Sequence, residues 1–198
     1  MSCGNIKYYH TMKTTKSTLA ALAVICAILC SCSKENREDP TPEKITYFGE
    51  ITSHVLTDAE TLKYFDFYIM EYTATGEISK HNVTKWEDKV SDLYGSVKYW
   101  ESEVKITLPG KLGFYLELVP KAGIDMEAGY HIMRDYSCYA WSHDAGNTPV
   151  QEAYKNGQSV ISHIKAGKLS DFLKQDNPFI DAVITFGADG KSTVSKWQ

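Results

Sequence analysis

Beyond Ile45 the apolar side chains recur at every second position, and rarely at the 3.6-residue spacing of a helix. Residues 64 to 72, YFDFYIMEY, set Phe65, Phe67 and Ile69 on one face and Tyr64, Asp66, Tyr68 and Tyr72 on the other, the pattern of a half-buried strand. The same alternation groups Val104, Ile106 and Leu108, then Phe114, Leu116 and Leu118 beyond Pro109-Gly110, which predicts a hairpin of strands 96 to 108 and 112 to 119. Thr75-Gly76 and Asp189-Gly190 mark two further turns. In all, nine strands are expected: 45 to 56, 62 to 73, 77 to 84, 96 to 108, 112 to 119, 129 to 142, 158 to 165, 179 to 187 and 192 to 197. Helical spacing is confined to one short piece, Lys168 to Gln175, where Leu169, Phe172 and Leu173 share a face. Many strands, glycine-containing turns and no crossover helices predict an all-β fold, an antiparallel two-sheet β-sandwich, with a closed β-barrel as the alternative.

The first 44 residues follow a different rule. Leu19 to Cys30, LAALAVICAILC, is uncharged and is preceded by Lys13 and Lys16. A span needs about 20 apolar residues, so this stretch is too short to cross a bilayer and instead has the three parts of a secretory signal peptide. Its end, Leu29-Cys30-Ser31-Cys32, resembles the lipobox of bacterial lipoproteins, in which an aliphatic residue and two small ones precede the cysteine that is acylated and before which the chain is cleaved. The resemblance implies that residues 1 to 31 are removed and that Cys32 carries the lipid. One acyl chain binds a membrane only marginally, so stable anchoring takes at least two. Ser33 to Lys44, SKENREDPTPEK, has no apolar residue besides Pro40 and Pro42 and cannot bury enough surface to fold. Residues 32 to 44 are therefore expected to be a tether between lipid and body. The acids just after Cys32 resemble export signals that carry lipoproteins of gut-type Gram-negative bacteria to the outer surface. Met12 begins a more ordinary signal sequence than Met1, so the true start is expected there.

Charge narrows the partners. Without residues 1 to 31 the chain holds 18 basic against 25 acidic residues, a net −7, and an acidic body lacks the lysine and arginine surplus that drives phosphate binding, so no nucleic-acid partner is expected. Of the five cysteines only Cys138 falls in the body, where a small buried hydrophobe is expected. No internal repeat and no second composition break follow Lys44, so residues 45 to 198 are expected to form a single domain. Its general character resembles the small immunoglobulin-like modules of lipid-anchored surface proteins.

Motifs for chemistry are sparse. Gly187 to Thr193, GADGKST, has Thr185 where a phosphate loop needs its first glycine, and too few residues follow for the helix such a loop requires. No G-x-S-x-G elbow or H-E-x-x-H occurs. On a strand, His131 and His143 differ from Cys138 by odd numbers and so face away from it. The body's histidines, His54, His81, His131, His143 and His163, show no pair at the spacing of a metal site. Neither metal nor cofactor is expected. Asn82-Val83-Thr84 fits a glycosylation sequon, incidental in a bacterial context. Aromatic residues carry more information: Tyr64, Tyr68 and Tyr72 form a stripe, and Tyr139 and Trp141 share a face just before the loop Ser142 to Pro149. Rings beside polar groups can stack on sugars and bind their hydroxyls, which makes Tyr139, Trp141, His143, Asp144 and Asn147 the candidate ligand-binding residues. The expected function is a lipid-anchored binding module of the bacterial outer membrane, exposed at the surface, for a glycan or a partner protein. A structural subunit of a surface assembly or fimbria-like fibre is the alternative, and an enzyme the third reading.

Overall fold

Ten strands form two antiparallel five-stranded sheets in a computed structural model that describes residues 44–198. The signal segment, Cys32 and the tether up to residue 43 lie outside the described residues. In chain order the elements are β1 (Tyr47–Thr57), α1 (Thr61–Tyr64), β2 (Phe65–Tyr72), β3 (Ile78–Asn82), β4 (Glu87–Ser91), β5 (Gly95–Thr107), β6 (Gly110–Pro120), β7 (Tyr130–Asp144), β8 (Pro149–Ile164), α2 (Leu169–Asp176), β9 (Ile180–Phe186) and β10 (Ser192–Ser195). The first sheet runs β4-β5-β1-β7-β8 and the second β10-β9-β6-β2-β3. The sheets are stacked as a sandwich, with no closed barrel among the described residues.

Alternation decides which side chains meet between the sheets. Phe65, Phe67 and Ile69 of β2, Leu112, Phe114, Leu116 and Leu118 of β6, and Ile180, Ala182, Ile184 and Phe186 of β9 face Ile51 and Val55 of β1 and Ile132, Tyr136, Cys138 and Ala140 of β7. Each large side chain removed from water this way contributes about 1.5–3 kcal/mol. Trp100 of β5 stacks on Phe114 of β6 at 6.0 Å and so ties one sheet to the other. One end of the core is covered by α2, whose Leu169 and Phe172 are buried. Gly76 and Gly190, at φ +83° and +79°, turn the β2–β3 and β9–β10 hairpins, as their positions in the sequence predict.

Four expectations need correction. The nine expected strands are ten: β4 was not foreseen because its five residues are exposed or nearly so and show no apolar alternation. The strand expected at 158 to 165 begins at Pro149, since β8 is an edge strand with β7 as its only ladder neighbour among the described residues and little of its outer half is buried. The start of the second expected strand is a helical turn, α1, because Asp58 Oδ1 accepts the Thr61 amide at 2.7 Å and closes the turn. With α2 this makes two short helices instead of one. Finally, β5 and β6 are not a hairpin: β5 pairs with β1 and β4, and β6 with β2 and β9, so Pro109-Gly110 carries the chain across from one sheet to the other. A Cβ on Gly110 would lie 2.7 Å from Ile106 Cδ1, so a side chain at this corner would push the Ile106 methyl aside.

The Asp58 turn sets an acid sensitivity. Burial acts to raise the Asp58 carboxyl, but hydrogen bonds from Thr61 and His131 outweigh it and leave the group below its ordinary 3.8. A carboxyl depressed in the folded state lends stability that is present above the unfolded value and lost as pH falls through the folded one. Urea titrations of wild type and Asp58→Asn should accordingly differ most above pH 3.8 and converge as the medium is made more acidic. A gap of constant size across that range would count against the assignment.

Candidate functional site

The outer face of the first sheet is a lattice of polar and aromatic side chains whose rows follow from strand register. One row is Lys105, Glu50, Trp141 and Glu152, and the next is Glu103, Thr52, Tyr139 and Lys155, each running from β5 through β1 and β7 to β8. The third is Glu101, His54, Ser137 and Gly157. Tyr139 and Trp141 are two positions apart on β7, so their rings share this face, 4.9 Å apart at an interplanar angle of 30°. A bulge between Ala140 and Trp141 changes the register with β8 and brings Glu152 opposite Trp141. Burial and the neighbouring Glu152 carboxylate push the Tyr139 phenol above its ordinary value, so it stays protonated and available as a donor.

Two clefts flank this row. One, of about 430 Å³, is lined by Ser137, Cys138, Tyr139, Lys155, Asn156 and Gly157. At its edge Gly157 brings β8 close to β7, where a Cβ would lie 2.8 Å from the Tyr136 carbonyl oxygen. The second, of about 290 Å³, is lined chiefly by Thr52, His54, Tyr99, Glu101 and Glu103. Tyr99 donates to Glu101 Oε2 at 2.5 Å, and burial followed by that carboxylate pushes its phenol up to about 12. The face therefore combines apolar ring surface, neutral hydroxyls, carboxylates and ammonium groups within two or three strand spacings of about 4.8 Å each.

Of the five residues expected to form a site, the structure brings two side by side and places the other three in or next to the β7–β8 turn. Tyr139 and Trp141 form the aromatic pair. His143 is buried against Phe48, with ring centroids 5.5 Å apart, and its Nδ1 donates to the Asp144 carbonyl oxygen at 2.7 Å. Asp144 Oδ1 accepts the amides of Gly146 and Thr148, both at 2.8 Å, which holds its carboxyl below the ordinary range and commits that oxygen to shaping the β7–β8 turn. Asn147 is exposed at φ +62°, the left-handed position of the same turn. Asp144 thus closes the β7–β8 turn through the Gly146 and Thr148 amides, and the open surface lies on the sheet. Glu50, Thr52, Glu152 and Lys155, which flank the pair, were not singled out in the sequence, since β1 and β8 reach them only through pairing. The tyrosine stripe is divided: Tyr68 and Tyr72 lie on the outer face of the second sheet, while Tyr64 belongs to α1 and meets Tyr130 edge-on at 5.2 Å. Tyr72 is covered by Trp197, stacked at 5.0 Å.

Cys138 is fully buried, as expected, and burial pushes its thiol up to about 12. Thiolate is the reactive form. Iodoacetamide should leave the native protein unmodified at Cys138 at neutral pH and label it fully in denaturant, as read by peptide mass spectrometry. Rapid native labelling would show that β7 opens locally.

Fold and surface together define an antiparallel β-sandwich with one open aromatic sheet face. Comparison with protein-family models, with curated proteins and with solved structures returns no significant match.

Proposed function

We propose that this chain is a lipid-anchored binding module of the bacterial cell envelope and that its ligand is a glycan held on the outer face of the first sheet. The observation that carries this reading is the Tyr139–Trp141 pair, two touching rings set among Thr52, Glu50, Glu152 and Lys155. Ring faces receive the C–H surface of a sugar, and the surrounding groups match its hydroxyls. On the second sheet Tyr72 is already occupied by Trp197, which leaves the first sheet as the more open platform. The anchor rests on the lipobox resemblance at Cys32, and no described helix is long and apolar enough to cross a membrane. The predicted destination is the outer membrane, facing outward.

The test is a glycan array probed with the purified protein, followed by titration of any hit. Trp141→Ala should weaken binding by at least tenfold and leave the thermal midpoint within a few degrees of wild type. A glycan that binds both proteins equally would remove the site. For the anchor, growth with an alkyne fatty acid should label wild type and not Cys32→Ala.

A second reading has its own observation. β8 is a 16-residue edge strand with free backbone along much of its outer side, and such edges template pairing with another chain. Growth of polymer in light scattering, together with silence on the array, would favour a structural subunit. An enzyme remains the third reading, for which the described residues supply no activated thiol.

A further inference from the structure

A pair of histidines lies on the same outer sheet face, at the far end of β7 from Trp141. His131 of β7 stands directly opposite His163 of β8, and their rings lie 5.2 Å apart at 57°. On the far side of His131, Asp58 Oδ2 lies 2.8 Å from Nε2. An ionised carboxylate only accepts, so Nε2 carries the proton and the ring is held in the tautomer whose Nδ1 has a free lone pair. This is how metal-bound histidines are usually supported, by a carboxylate on the nitrogen that does not bind the metal.

We propose that His131 and His163 form a cross-strand clip for a divalent transition-metal ion of the zinc, nickel or copper type, with Asp58 orienting His131. The spacing fits. Two imidazoles sharing a tetrahedral ion, with metal–nitrogen bonds of about 2.0–2.1 Å, place their ring centroids roughly 5 Å apart. Imidazole ligands favour these ions over magnesium or calcium. The backbone of a paired strand fixes both Cβ positions, so binding costs little ordering beyond two side-chain rotations. Both rings are accessible: His163 is exposed and His131 keeps 31% of its side-chain surface. Among the described residues no group of three or more histidine, cysteine or carboxylate side chains could complete a cage. The ion is therefore held by two nitrogens of the described residues, and its remaining positions go to water or to another donor. A metal so held is an open, exchangeable site rather than a structural one. Metal ligation at this end of β7 stands about ten residues, or roughly 30 Å of strand, from Trp141, so its failure would leave the glycan reading untouched.

The experiment is titration of the purified protein with zinc by calorimetry and with nickel by NMR of nitrogen-labelled imidazoles. One zinc ion per chain should bind, and sub-stoichiometric nickel should broaden His131 and His163 before His54, His81 and His143. His163→Ala, at an exposed position, should keep the wild-type thermal midpoint and bind zinc at least tenfold more weakly, and His131→Ala should do the same to binding. Wild-type affinity in His163→Ala, or broadening spread evenly over all the histidines, would overturn the proposal.

Discussion

Phe114→Ala should lower the unfolding free energy by about 3–5 kcal/mol, the cost of emptying a large buried aromatic site. Phe114 is 1% exposed and supplies the second-sheet half of the stack with Trp100. The cavity cannot close by collapse of a single element, because both β6 neighbours, β2 and β9, hold it in ladder on either side. For a domain of this size each kcal/mol shifts the midpoint by roughly 2–4 °C, so a fall on the order of 10 °C is expected. Thermal unfolding followed by circular dichroism measures it. Loss of less than about 1 kcal/mol would mean that the two sheets are not joined through this stack.

The second large effect concerns ligand binding. Tyr139→Ala and Trp141→Ala should each cost a bound glycan on the order of 2 kcal/mol, about thirtyfold in affinity, the usual price of truncating an aromatic anchor. Because the rings stand 4.9 Å apart, each also shapes its partner, and the double substitution should differ from the sum of the single ones by about 0.5–3 kcal/mol. Tyr139→Phe keeps the ring and removes only the hydroxyl beside Glu152, so it should bind nearly as wild type if stacking dominates. Both side chains point out of the core, and folding should be preserved in all four variants. Additive effects would separate the two rings into independent contacts and count against a shared platform.

Period-two alternation reveals β2 and β6 because their inner side chains are buried and their outer ones are not. It is silent for β4, which is exposed on both sides, and for the first half of β8, whose alternation is blurred by a bulge and a free edge. The hairpin expected at Pro109-Gly110 shows a second limit, since a turn signal reports that the chain reverses and not which sheet it enters next. Parity along β7 correctly put Tyr139 and Trp141 on one face and Cys138 on the other. It could not reveal that Asp144 would be consumed by its own turn, because the amides of Gly146 and Thr148 reach it only once that turn is formed.

From the residues alone came the apolar lead that ends on Cys32, the uncharged-to-charged break before Lys44, and a strand-rich body with Cys138 in its core. These are local properties, set by neighbours in the chain. Register between strands decided the rest: the Lys105–Glu50–Trp141–Glu152 row, the cleft over Gly157 and the meeting of His131 with His163. Each joins residues far apart in sequence, and backbone hydrogen bonding between strands, which no linear pattern encodes, is what brings them side by side.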